Sequence, residues 1–160
     1  MRAAIITIST SKAAGEGDDE SGPLLAQFAQ RVGAQVATRE LLADDRGAIE
    51  LALQRLCADE RIDLVLTTGG TGPAPSDVTP EATRAVIERE IPGIAEAMRL
   101  ASRAHTPHWM LSRGVAGVRA GSLIVNFPGS PKSILEVEAE LLPALRHAVG
   151  LLSGDPSPHA

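Results

Sequence analysis

Leu64-Val65-Leu66-Thr67-Thr68-Gly69-Gly70-Thr71-Gly72-Pro73-Ala74-Pro75-Ser76-Asp77-Val78-Thr79-Pro80-Glu81-Ala82-Thr83 is the stretch from which the rest of the chain can be read. It opens on an apolar run of the kind that fills a buried parallel strand. Gly69, Gly70 and Gly72 follow, set among Thr68 and Thr71. Glycine allows positive φ and lets a ligand approach the main chain closely. Threonine hydroxyls and exposed N–H groups suit phosphate oxygens. Two prolines stiffen the middle, and Asp77 stands beyond them. Thr79-Pro80-Glu81 reads as a helix start, with Thr79 as N-cap, Pro80 at the first helical position and Glu81 in the first turn. The order is strand, anion-cradling loop, carboxylate, helix.

Two familiar phosphate loops are excluded. No Lys-Ser or Lys-Thr follows the glycines, and their spacing does not match the dinucleotide fingerprint. A lone Gly-Gly would be explained by a tight turn alone. The hydroxyls and carboxylate in the same loop point instead to a ligand. An acidic residue beside a phosphate cradle repels its substrate unless a metal lies between them. Mg²⁺ commonly takes one or two carboxylates plus substrate phosphates, which makes Asp77 the leading candidate for a metal-holding catalytic residue.

Working outward, Ala3 to Ile8 is another apolar, β-rich run, followed by Ser9-Thr10-Ser11-Lys12 and a loop of small and acidic residues. Ser21-Gly22-Pro23 opens a helix with Leu24, Leu25 and Phe28 on one face. Ala34 to Leu42 reads as a strand nearer the sheet edge, its apolar character broken by Gln35, Thr38 and Arg39. Asp44 or Asp45 caps the next helix, with Ile49, Leu51, Leu53 and Leu56 spaced for burial. After the central stretch, Gly93 to Arg103 reads as an amphipathic helix carrying Ile94, Met98 and Leu100. Val115 to Val118 and Leu123 to Phe127 form a hairpin about Arg119-Ala120-Gly121-Ser122. Pro128-Gly129 turns the chain, and Ser130-Pro131 starts a last helix that runs towards Leu151.

This alternation predicts a three-layer α/β/α fold with a mainly parallel sheet and a short antiparallel hairpin. The expected domain is 1–152, with a flexible tail over 153–160. In such sheets ligands bind beyond the carboxyl ends of the strands, at the switch point. The loops Ser9 to Lys12 and Thr68 to Asp77 both leave carboxyl ends, and an order 2-1-3 makes them neighbours. The turn from Asn126 to Lys132 leaves a third carboxyl end.

Composition bounds the function. A chain of 160 residues is large enough for a real core, and 44% apolar with 22% charged residues is ordinary for a globular chain. With two Phe, one Trp and no Tyr, that core must be aliphatic. A net charge of −5 argues against nucleic acid as a partner. The lone Cys57 forms no internal disulfide, fits a reducing cytoplasm, and has helical apolar neighbours that make it a core residue. No apolar run reaches the length of a membrane span, and no signal peptide precedes the first strand. Among fifteen basic residues only Lys12 and Lys132 are lysines, and both fall in the candidate loops. A lysine there suggests a point charge facing a phosphate, and Lys132 also lies in the first turn of a helix. His105 and His108 have no Cys, third His or clear carboxylate to complete a metal site.

The central stretch, with its Thr-Thr-Gly-Gly-Thr-Gly and its Asp-Val-Thr-Pro, resembles the signature of the molybdopterin adenylyltransferase family of MogA/MoaB type, shared with the gephyrin-like G domains of plant and animal molybdenum-cofactor proteins. Leu111-Ser112-Arg113-Gly114-Val115-Ala116-Gly117 and Leu123-Ile124-Val125-Asn126-Phe127-Pro128-Gly129-Ser130-Pro131-Lys132 match in the expected order, and Ser9 to Gly22 matches more weakly. The resemblance implies a molybdenum-cofactor enzyme that uses Mg²⁺ and ATP to adenylylate molybdopterin, releasing pyrophosphate. It implies a homotrimer, or a hexamer in the MoaB branch, with hand-over to a molybdenum-insertion enzyme. It gives Asp77 a magnesium and nucleotide role and places Asp44, the second candidate catalytic and metal-holding carboxylate, at the family's second acidic position, where Ala43 replaces the usual proline. It puts Ser112 and Asn126 on the pterin side, beside Pro128, Gly129, Ser130 and Lys132. Ser76 and Thr10 depart from the pattern, where many members carry a basic residue and an aspartate. They keep open a pterin carrier without turnover, or a related nucleotide-processing domain.

Overall fold

The computed structural model describes residues 1–59 and 61–154. Along these the elements run β1 (Arg2–Ile8), α1 (Thr10–Ala13), α2 (Ser21–Val32), β2 (Gln35–Leu42), α3 (Arg46–Ala58), β3 (Leu64–Thr68), α4 (Thr79–Val86), β4 (Arg89–Glu90), α5 (Pro92–Ser102), β5 (Ala116–Arg119), β6 (Ser122–Phe127), α6 (Pro131–Glu136) and α7 (Glu138–Leu152). The strands make one sheet in the order β2-β1-β3-β6-β5-β4. β2, β1, β3 and β6 are parallel; β5 and β4 are antiparallel additions. Of the expected tail 153–160, residues 155–160 lie outside the described residues.

The three-layer expectation holds because β1, β3 and β6 are apolar on both faces, as central parallel strands must be. Ile5, Leu66 and Val125 pack with residues of α2, α5, α6 and α7. Ile6, Val65 and Ile124 pack on the opposite side with α3 and α4. Phe28 of α2 meets Phe127 of β6 edge to face, ring centres 5.1 Å apart. Cys57 is buried in the second layer, where desolvation pushes its thiol pKa up. β2 is an outer strand whose residues alternate between exposed and half-buried.

Several boundaries differ from the sequence reading for local reasons. Asp45, not Asp44, caps α3: its Oδ1 accepts from the N–H of Ala48 at 2.7 Å. Leu51 on α3 is exposed rather than buried, because the face turned to the sheet is that of Ile49, Ala52, Leu53 and Leu56. Val78 is the N-cap of α4, and Thr79 is already inside the helix. The Thr79 hydroxyl is taken up elsewhere, donating to the Gly69 carbonyl at 2.9 Å. Ser9-Lys12 is not a loop but a short helix, capped when the Ser9 hydroxyl accepts from the Lys12 N–H. The last helix divides at Val137, although bonds from Val137 to Ser133 and from Leu141 to Val137 carry the chain across the joint. The hairpin turns on Ala120 and Gly121, both at positive φ.

Candidate functional site

The sheet order brings the ends of β1 and β3 side by side, with β6 next to β3. Three loops leave this edge, and glycines let them touch. Gly69 has φ +103°, and a Cβ there would lie 2.1 Å from the Ile8 carbonyl oxygen. The loop after β3 is therefore pressed onto the end of β1 at a place no side chain fits. On the other side the Gly69 N–H donates to the Phe127 carbonyl at 3.2 Å, and the Thr68 hydroxyl to the Pro128 carbonyl at 2.8 Å.

Between these loops lies a cleft of about 330 Å³. Ser9, Lys12 and Asp44 form one wall; Thr68, Gly69 and Gly70 form another; Asp77 and Gly129 complete it. Asp44 is fixed by Thr10: its Oδ2 accepts from the Thr10 N–H at 2.9 Å and the Thr10 hydroxyl at 2.8 Å. Its Oδ1 faces Gly70, where a Cβ would come within 3.1 Å. Asp77 is folded over its own loop, Oδ2 accepting from the Ala74 N–H at 3.0 Å while its N–H donates to the Ala74 carbonyl at 2.9 Å. Gly72 leaves room for that carboxylate, since a Cβ there would meet Oδ2 at 2.8 Å. Each aspartate thus has one oxygen engaged in the fold and a second that accepts from no described residue. The two carboxylates supply oxygen donors of the kind a hard divalent cation takes, while the glycine N–H groups and the one lysine suit phosphate oxygens.

The remaining expected residues are distributed differently. Thr71 is buried, and its carbonyl accepts from the Arg113 N–H at 2.8 Å. Ser112 and Pro128 line a separate hollow of about 100 Å³, with Arg99, Trp109 and Ser133. Asn126 does not present a free amide there. It is buried beneath the site, its Oδ1 accepting from the Val115 N–H at 3.1 Å and its Nδ2 donating to the hydroxyls of Thr67 and Thr83. Its position inside β6, with every neighbour buried, turns the side chain into the core. Ser130 caps α6 without a side-chain bond, and Lys132 is exposed and lines neither hollow. His105 and His108 are exposed, and among the described residues no group of three His, Cys, Asp or Glu is placed to hold a metal.

The probable molybdopterin binding domain model matches residues 4–147. Molybdopterin adenylyltransferase of Escherichia coli is 42% identical over 139 residues, which is 85% of this chain and 71% of that protein. This chain belongs to the molybdopterin-binding domain family. The Helicobacter pylori molybdopterin adenylyltransferase is 47% identical over 116 residues, 72% of this chain, but the match spans only 66% of that protein's length. A solved structure of the molybdopterin biosynthesis enzyme MoaB from Thermus thermophilus superimposes with a TM-score of 0.90 at 44% identity, covering 98% of this chain and 99% of that one. Within this family fold, the aspartates and the glycine loop occupy the crevice at the strand carboxyl ends where open α/β sheets hold their ligands.

Sequence reasoning missed three contributors. Arg113 appears only as a letter in a motif, yet it binds the loop that carries Asp77. Thr79 pins Gly69 and Gly70 from beneath: its hydroxyl donates to one carbonyl and its N–H to the other. Asp19 ties the acidic loop down, accepting from the Thr7 hydroxyl at 2.8 Å and the Gly22 N–H at 2.9 Å. The signal available for the last was Asp-x-Ser-Gly at a helix start.

Proposed function

We propose that the chain is a molybdopterin adenylyltransferase of molybdenum cofactor biosynthesis. The terminal phosphate oxygen of molybdopterin attacks the α-phosphorus of ATP; the bond to the β-phosphate oxygen breaks, pyrophosphate leaves, and adenylyl-molybdopterin is formed. The observation that carries this reading is the meeting of Asp44, Asp77, Lys12 and the Gly69–Gly72 loop in one cleft. Such transfer needs positioning and charge neutralisation more than a nucleophilic side chain. Asp77 and Asp44 would hold Mg²⁺, which neutralises the phosphate charge when bound. Thr10, bonded to Asp44, orients that carboxylate rather than adding a third acid. The loop N–H groups beyond Gly69 receive phosphate oxygens, Thr68 holds the loop against Pro128, and Lys12 supplies the fixed cation. The separate hollow of Ser112, Trp109 and Pro128 supports a pterin subsite next to the nucleotide.

A homotrimer or hexamer, a cytoplasmic location and hand-over to a molybdenum-insertion enzyme belong to the same proposal. Exposed Leu100, Met110 and Leu111 support self-association, and no helix among the described residues is long and apolar enough to cross a membrane. Sedimentation tests the assembly. The activity is tested by incubating the protein with molybdopterin, ATP and Mg²⁺ and identifying adenylyl-molybdopterin by mass spectrometry. Asp77→Asn should keep the fold and lose at least about two orders of magnitude in rate, as for one major electrostatic element. Pterin binding with no product would reduce the protein to a carrier.

A further inference from the structure

Arg113 is placed outside the cleft but is joined to the loop that forms it. Its Nε donates to the Gly72 carbonyl at 2.8 Å and its Nη2 to the Asp77 carbonyl at 2.7 Å. Its Nη1 pairs with Glu81 on α4. Its own N–H donates to the Thr71 carbonyl, so main chain and side chain grip the same loop at three residues. An exposed ion pair by itself contributes little. The two carbonyl bonds are the distinctive part, because a planar guanidinium fixes direction as well as distance.

Between those two carbonyls, Pro73 to Ser76 are all exposed. The only other bonds described within the segment are internal, between Ala74 and Asp77. From below, Thr79 anchors Gly69 and Gly70 but not the Asp77 end. The orientation of the Asp77 carboxylate towards the cleft therefore depends on an arginine that does not itself line that cleft.

We infer that Arg113 is a positioning residue, braced by Glu81, which holds the Gly72–Asp77 segment so that the Asp77 carboxylate meets the metal–nucleotide. This rests on the nucleotide-side role of Asp77 proposed above. Arg113 touches no substrate and works only through Asp77.

That dependence sets the test, a double-mutant cycle read by calorimetric binding of Mg²⁺·ATP without molybdopterin, so that no turnover is needed. Arg113→Ala should weaken Mg²⁺·ATP binding about tenfold, within the range of coupled neighbours. Asp77→Asn should weaken it at least as much, and adding Arg113→Ala to Asp77→Asn should cost nothing further. ATP without Mg²⁺ should bind the native protein and Arg113→Ala equally. Arg113→Lys should not restore binding, because an ammonium cannot reproduce the directed pair of bonds; it also replaces Arg113→Ala in the cycle if that variant melts too early to assay. Native affinity in Arg113→Ala, or losses that simply multiply in the double variant, would overturn the inference. If Asp77→Asn itself binds Mg²⁺·ATP normally, the nucleotide-side reading fails first, and that result is separate from the other two.

Discussion

Glu81 shows how much of this site depends on single side-chain bonds. Its hydrogen bond with Arg113 is the main cause that holds its carboxyl below the usual carboxylate range, with Arg84 adding to it. Arg46 and Asp77 line the same hollow. A depressed folded-state pKa contributes stability that is complete above the unfolded value of about 4.3 and lost as pH falls through the lower folded one. Glu81→Gln should accordingly melt lower than the native protein near neutral pH, with the gap closing in acid below about pH 4. Because the side chain is 38% exposed, solvent screening should keep the difference at neutral pH to about 1 kcal/mol or less. Thermal melts of both proteins across that range measure it; a gap that persists in acid would mean the carboxylate is not the cause. Asp77 and its glycines were legible in the sequence because they are neighbours in one loop. Arg113 was not: its partners Gly72, Asp77 and Glu81 lie 41, 36 and 32 residues away. Asn126 misled for the opposite reason. An amide beside Pro-Gly suggests a turn ligand, but only the fold shows Thr67 and Thr83 waiting for it.

Among the elements, the β5–β6 hairpin carries an avoidable cost. Ala120 stands at φ +47° and Gly121 at +84°, the left-handed pair that a two-residue hairpin requires and that Asn-Gly fills best. An L-residue with a Cβ loses roughly 1–2 kcal/mol in that region, while asparagine tolerates it. Ala120→Asn should therefore stabilise the protein by about 0.5–1 kcal/mol. A higher denaturation midpoint with an unchanged slope would establish this, and an unchanged or lower midpoint would refute it. The hairpin itself was readable from its flanking apolar runs; its turn geometry was not, since alanine gives no sign of positive φ. β4 was unreadable because Arg89–Glu90 is too short to show a period, and it forms only through pairing with Gly117 and Val118.

For the molecule as a whole, alternating apolar runs and helix starts were enough to foresee the layers and the meeting of the loops after β1 and β3. The position of β6 beside β3 depends on long-range pairing of Leu64 with Leu123 and Leu66 with Val125, which no local pattern announces. That pairing also determines which strands end the sheet. At one border β4 offers two residues; at the other β2 offers eight. An open border is a template on which other chains can grow, and proteins guard it with charge. Arg39 and Glu40 stand midway along β2, Arg39 exposed. Arg39→Val should leave the melting temperature almost unchanged yet hasten clouding of concentrated solutions on warming, followed by light scattering. Equal scattering from the two proteins would mean that border is already covered. A strand chosen for the outside of the sheet thus also bears on how concentrated the protein can become before it ceases to be a solution.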